Sequence, residues 1–278
     1  MSMQRGREEP KPTGADAELE VERHLGGKGP TSWSTRGGRT LAALTHRLSA
    51  LLGPHAALIL ILAAGAVVAA LATLAAAWVY DAVTESDGVA GLDRPVLTAF
   101  EAVRSPWLDT AVTWYTNVGG AIVMPIIAVL AIVILTLRRR TWAPALIIGA
   151  AGAGSLLMTV VGKGLVGRVR PGFDHAVPPF EQSPSFPSGH TLNATAIAGA
   201  IAYMLLLRQS RRVAQVATIA VAVVFAVSIG ISRVYLGHHW FTDVLVAWML
   251  GVGWLAVVIT AHRLSLTARQ RQQAALPG

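Results

Sequence analysis

The chain has 278 residues, 53% of them hydrophobic and only 14% charged, with a formal net charge of +8. A soluble domain carries about a quarter of its residues as charges, so this composition argues against one and points to a membrane protein. The absence of cysteine excludes disulfides, thiolate metal sites and a cysteine nucleophile. The positive charge would suggest nucleic acid in a soluble protein, but here it reads as the basic bias of cytoplasmic membrane loops.

In chain order, residues 1–47 come first. They mix eight basic residues (Arg5, Arg7, Lys11, Arg23, Lys28, Arg36, Arg39 and Arg47) with six acids and scattered Gly and Pro. The expectation is a disordered cytoplasmic tail. It is not a secretory signal, because the first long apolar run begins too late.

Six apolar stretches follow, at 56–79, 119–137, 142–162, 191–207, 213–231 and 244–261. Each approaches the roughly 20 residues that a bilayer-spanning helix needs. The fourth and sixth are short and call for tilt or local thinning. Between the first two, residues 95–117 are moderately apolar, with Leu97, Phe100, Val103 and Trp107 near helical spacing. This segment reads as an interfacial helix on the outer surface or as a helix covering the bundle end. The expected architecture is all-α: a six-span bundle over 48–265, flanked by the tail 1–47 and a cytoplasmic tail 266–278.

Basic residues set the orientation. Arg138, Arg139 and Arg140 follow the second span, Arg208, Arg211 and Arg212 the fourth, and Arg263, Arg269 and Arg271 the sixth. With six spans these segments and the N-terminal tail share one side, the cytoplasm. The loop after the first span is acidic, with Asp81, Glu85, Asp87, Asp93, Glu101 and Asp109. Both termini are therefore expected inside a plasma membrane.

A few polar residues escape that pattern. Lys163, Arg168 and Arg170 end the third span, Ser188 and His190 precede the fourth, and Arg233, His238, His239 and Asp243 lie between the fifth and sixth. All fall on the predicted outer side, where four basic residues need an anion as their reason. Lys163 and Arg170, seven apart, share a helical face if the helix continues to Pro171. Ser188 or Thr191 is placed to cap the fourth helix, whose N-terminal N–H groups attract phosphate. His239 and Asp243, four apart, present a carboxylate to an imidazole on one helical face. Two histidines beside an anion pocket allow one to attack phosphorus and the other to protonate the leaving oxygen.

These residues resemble the signature of the type 2 phosphatidic acid phosphatase superfamily, which also includes vanadium haloperoxidases and bacterial acid phosphatases. The three parts are Lys163 to Arg170 and Pro171 (KGLVGRVRP), Pro187-Ser188-Gly189-His190, and Ser232-Arg233 through His239 to Asp243 (SRVYLGHHWFTD). The resemblance implies a membrane phosphatase acting on a lipid phosphate or pyrophosphate through a phosphohistidine. It implies that His239 is the nucleophile, Asp243 its orienting carboxylate and His190 the general acid. Lys163, Arg170, Ser188, Gly189 and Arg233 would bind phosphate. No metal or cofactor is implied, and the partners are the lipid substrate and membrane lipids, with no nucleic acid.

Two other functions fit parts of the pattern: a phosphotransferase on the same site, and a transporter of a phosphorylated solute. Charges at span ends, with nearly bare span interiors, disfavour the transporter. His238 reads as a structural or substrate-contact residue, and His175 and Arg168 as loop or pocket-rim residues. Gly149, Gly152 and Gly154 read as sites of close helix packing.

Overall fold

The structure, a computed structural model, describes residues 36–40, 43, 63, 67, 70, 71, 74, 75, 78, 79, 81 and 88–274; of 268 and 270–274 it describes the backbone alone. The tail 1–47 and the first predicted span, 56–79, lie almost wholly outside the described residues, as do 275–278.

After a 3-10 turn at Gly88–Leu92 the helices are α1 (Asp93–Glu101), α2 (Pro106–Thr116), α3 (Val123–Arg139), α4 (Ala143–Val166), α5 (Gly189–Leu206), α6 (Arg212–Tyr235) and α7 (Phe241–Ala274). No strand occurs among the described residues. By length and composition Ala143–Val166, Arg212–Tyr235 and Phe241–Thr267 each suffice to cross a membrane, and Pro106–Gly119 with Val123–Arg139, bent by 45°, can count as a fourth crossing. The chain folds as an all-helical integral membrane protein. Its surface supports this: Val213, Val221 and Val224 on α6 and Leu146, Leu157 and Leu165 on α4 are exposed, an apolar area far beyond what water tolerates on a soluble protein.

The short fourth stretch forms α5, which packs against α3, α4, α6 and α7. Leu192, Ala194, Ala196, Ile197, Ala200 and Met204 are buried. A helix sheathed by its neighbours needs no continuous apolar coat, so it tolerates Thr191, Asn193 and Thr195. Glycines let α7 approach closely. A Cβ on Gly154 of α4 would fall 2.1 Å from Trp254, on Gly199 of α5 2.3 Å from Leu255, and on Gly230 of α6 2.5 Å from Trp248. Of the three glycines singled out in α4, Gly154 is thus a tight packing site, Gly152 makes ordinary contact with Ile197, and a Cβ on Gly149 would meet nothing within 4 Å among the described residues.

Three local expectations are corrected. Residues 95–117 are not one helix: α1 ends at Glu101, and Ser105 is extended before Pro106 opens α2. Helix α4 does not continue to Pro171, because Gly167 at φ 59° closes it in the left-handed conformation that glycine adopts without penalty. His239 lies in the turn before α7 rather than on the helix. Helix α7 itself runs on to Ala274, with Leu264 and Leu266 buried.

The C-terminal ends of α4 and α6 meet the N-terminal ends of α5 and α7 at one end of the bundle. Arg139 at the end of α3, Arg208 after α5 and Arg212 at the start of α6 lie at the opposite end.

Candidate active site

The site forms where those four helix ends converge. Lys163 lies in the last turn of α4, and Arg170 on the extended segment beyond Gly167. Ser188 and Gly189 open α5 and His190 follows in its first turn. Arg233 comes from the last turn of α6 and Asp243 from the first turn of α7. His239 joins the last two, its backbone amide donating to the Arg233 carbonyl at 3.2 Å. The turn depends on Gly237, at φ 69°, where a Cβ would fall 2.0 Å from the His175 carbonyl oxygen.

Arg170 Nη1 lies 3.2 Å from His239 Nε2. A guanidinium only donates, so Nε2 is the accepting nitrogen and the ring proton sits on Nδ1. Nδ1 faces Asp243 Oδ2 at 3.4 Å, longer than an ordinary hydrogen bond. The ring is buried, and that burial, followed by Arg170 and Arg233, pushes its pKa well below the usual histidine value. His239 is therefore a neutral imidazole with its Nε2 lone pair on the side of the cations.

Asp243 is fully buried and heavily engaged. It accepts from Ser185 Oγ at 2.6 Å, from the Trp240 amide at 3.0 Å and from Arg168 Nη1 at 2.5 Å. The Trp240 contact is the reciprocal half of an N-terminal capping box. Arg168 also donates to Asp93 Oδ2 at 2.6 Å, and Asp93 accepts from the Thr242 amide at 2.8 Å. Asp93 thus caps α7 from α1.

The cations meet a short loop segment. Lys163 Nζ donates to Ser183 Oγ at 2.6 Å. Arg170 donates to the Ser183 carbonyl at 2.6 Å and pairs with Glu181 Oε2 at 2.8 Å. Arg233, 1% exposed, pairs with Glu181 Oε1. Burial alone would raise Glu181, but the charges of Arg233 and Arg170 outweigh it and hold the carboxyl well below its usual range.

The structure therefore brings Lys163, Arg170, Arg233, His239 and Asp243 into one connected set. His190 stands beside it, with Arg233, Glu181 and Lys163 as charged neighbours. Gly120 gives its ring room: a Cβ there would lie 3.1 Å from His190 Nε2. Ser188 is buried, with its hydroxyl bonded to Thr191 Oγ1 at 2.9 Å rather than to the helix backbone, and a Cβ on Gly189 would meet Thr159. His238 Nε2 donates to the Val177 carbonyl at 2.7 Å and so pins the loop. His175 pairs with Glu101 at 2.7 Å, away from the cations. A cleft of about 370 Å³, lined by Arg168, Arg170, Phe180, Glu181 and Ser183, opens beside the set.

Comparison with known proteins decides what this arrangement belongs to. The PAP2 superfamily domain matches residues 140–266. Over 177 residues, 62% of this chain and 83% of the relative, the sequence is 35% identical to phosphatidylglycerophosphatase B of Bacillus subtilis (strain 168). The chain belongs to the PAP2 superfamily. The fold agrees: the crystal structure of the first transmembrane PAP2 type phosphatidylglycerolphosphate phosphatase from Bacillus subtilis aligns with a TM-score of 0.61 and 30% identity, over 74% of this chain and 96% of that one. The Aquifex aeolicus LpxE structure aligns more loosely, with a TM-score of 0.48 and 20% identity over 62% and 94% of the two chains. As a PAP2 protein with an apolar helical exterior, the chain is a membrane lipid phosphatase of the metal-independent kind, and the family mechanism passes the phosphoryl group through histidine.

Proposed function

We propose that this protein removes the terminal phosphate from a phosphatidylglycerophosphate-type lipid on the outer face of a plasma membrane, with His239 as nucleophile. The observation that supports the residue roles best is the His239 ring itself. Its Nε2 faces Arg170 and its Nδ1 faces Asp243, so the lone pair points where a phosphate held by Lys163, Arg170 and Arg233 would sit.

In the first step a bond forms between His239 Nε2 and phosphorus as the bond from phosphorus to the lipid oxygen breaks. His190, as the imidazolium that the bound phosphate's negative charge favours, gives its proton to that leaving oxygen. In the second step water attacks phosphorus, its proton returns to His190, and the bond from nitrogen to phosphorus breaks. Lys163, Arg170 and Arg233 offset the charge on the phosphoryl oxygens. Gly189 adds its backbone N–H at the α5 N-terminus, where an anion is favoured, and Ser188 beside it ties that end to α7 by donating its own amide to the Asp243 carbonyl at 3.3 Å. Asp243 holds His239 and stabilises the imidazolium form.

The domain reading is a cytoplasmic tail over 1–47, six spans over 48–265 and a cytoplasmic C-terminal end. Its support is the arginines at the bundle end opposite the site. Single cysteines at Gln182 and at Arg211 test it in this cysteine-free chain. An impermeant thiol reagent should label the first in intact cells and not the second, and the reverse pattern overturns the orientation. A panel of purified lipid phosphates tests the substrate: phosphatidylglycerophosphate should give the highest kcat/KM. Product analysis with an added alcohol acceptor separates hydrolase from phosphotransferase.

A further inference from the structure

The three cations assigned to phosphate are all engaged by four consecutive loop residues, 181–184. Glu181 bridges two guanidinium groups, one carboxylate oxygen to Arg233 and the other to Arg170. Ser183 accepts from Lys163 through its hydroxyl and from Arg170 through its carbonyl, and the Pro184 carbonyl also faces Arg170 at 3.4 Å. A carboxylate spanning two arginines while a hydroxyl takes the lysine reproduces the set of acceptors that a phosphoryl group offers. The buried Arg233 has no other anionic partner among the described residues, and its Nη1 reaches only Thr116 Oγ1 at 3.5 Å. Phosphate and Glu181 cannot both hold these positions.

The segment is built to leave. Its flanks are fastened, with the Val177 amide donating to Leu236 at 2.9 Å and the Ser185 amide to Arg168 at 2.8 Å. Between them no backbone amide of residues 178–184 donates to another backbone group among the described residues. The Glu181 side chain is 28% exposed while that of Arg233 is 2% exposed. The partly exposed Glu181 can turn outward to water once another anion takes its place, whereas Arg233 is buried and needs an anion.

We propose that Glu181 is an internal competitor for the phosphate seat, displaced by the incoming phosphoryl group, and that it sets which anions the enzyme accepts. This rests on the reading that Lys163, Arg170 and Arg233 hold the phosphate. A small free anion must displace the carboxylate with its own charge alone. A lipid phosphate has the membrane to concentrate it and further contacts to offset that displacement. Glu181 therefore selects against inorganic phosphate, the product, and clears the site after each turnover.

The test is binding of inorganic phosphate to purified full-length protein in detergent at constant ionic strength, read both as the inhibition constant and as the rise in thermal midpoint on adding phosphate. Glu181→Gln keeps the side chain's size and removes its charge. It should tighten phosphate binding about tenfold or more, the scale of one charged hydrogen-bond partner. Ser183→Ala should tighten it in the same direction by less, and it serves if Glu181→Gln does not fold. Arg233→Gln should abolish phosphate binding. Loss of binding in Arg233→Gln with unchanged or weaker binding in Glu181→Gln and Ser183→Ala overturns the proposal and leaves Glu181 as a mere support for the arginines. Unchanged binding in Arg233→Gln overturns instead the assignment of the phosphate seat.

Discussion

Arg168 Nη1 sits 2.5 Å from Asp243 Oδ1, and the pair is buried beneath the turn that carries His239. Arg168 is outside the recognised signature positions, yet it neutralises the carboxylate that faces the imidazole. Removing one partner of a buried pair leaves an uncompensated charge and costs about 3–5 kcal/mol.

Arg168→Gln should therefore lower the thermal midpoint in detergent and reduce kcat with little change in KM. Arg168→Lys should recover part of both, because one ammonium cannot serve Asp243 and Asp93 together as the guanidinium does. An Arg168→Gln enzyme that raises KM alone would place Arg168 at the substrate instead.

The two histidines should separate by leaving group. His239→Ala should be inactive on lipid phosphates and on nitrophenyl phosphate alike. General acid help is typically worth about 10²–10⁴-fold, and a lipid alkoxide needs it more than nitrophenolate does. His190→Ala should lose most of its rate on lipid monophosphate, much less on nitrophenyl phosphate, and an intermediate amount on a pyrophosphate. Equal losses of kcat/KM on all three would make His190 a pocket residue.

Stability should fall on mild acidification. Burial and then Arg233 bring His238 down to about 4, and His239 is pushed lower than its usual value by burial and its cations. With folded values below the unfolded one, the unfolded chain takes up protons first. The contribution of each ring is complete above about pH 6.5 and is lost as pH falls from there, at up to about 1.4 kcal/mol per pH unit. The thermal midpoint should drop between pH 7 and pH 5, and His238→Gln should flatten part of that slope. A flat profile in the wild-type protein would contradict buried neutral rings.

Gly237→Ala should be among the most damaging single-methyl changes in the chain. It forces a left-handed residue, at about 1–2 kcal/mol, and drives a methyl into the His175 carbonyl. Both stability and kcat should fall, because His238 and His239 follow directly. Gly164→Ala, with open space around it, should leave the thermal midpoint within about 0.5 kcal/mol of wild type.

The helical architecture and the six signature residues were legible in the sequence because both rest on local signals. Apolar runs specify helices wherever they pack, and Lys163, Arg170, His190, Arg233, His239 and Asp243 stand out as polar residues at run ends. Glu181 gave no such signal: it is one acid in a proline-rich loop, and its meaning comes from arginines 11 and 52 residues away. Arg168 was read as a loop or pocket-rim residue, and its pairing with Asp243 and Asp93 was not legible while α4 was expected to continue. Once Gly167 ends that helix, Arg168 and Arg170 alternate along an extended segment and serve different partners. Asp93 was counted only as acidic loop charge, because nothing local ties it to Thr242, 149 residues later.

The glycine contacts of α7 bear on how the enzyme responds to its host bilayer. Gly199 against Leu255 and Gly251 against Thr195 clamp α5 to α7, and these two helices carry His190 and follow His239. The distance between the two histidines is then set by protein packing and not by the surrounding lipid. A thicker or thinner membrane will tilt the bundle as a unit or deform around it. Turnover should accordingly tolerate wide variation in host-lipid chain length, as long as the end of the bundle that carries the histidines still reaches the headgroup layer.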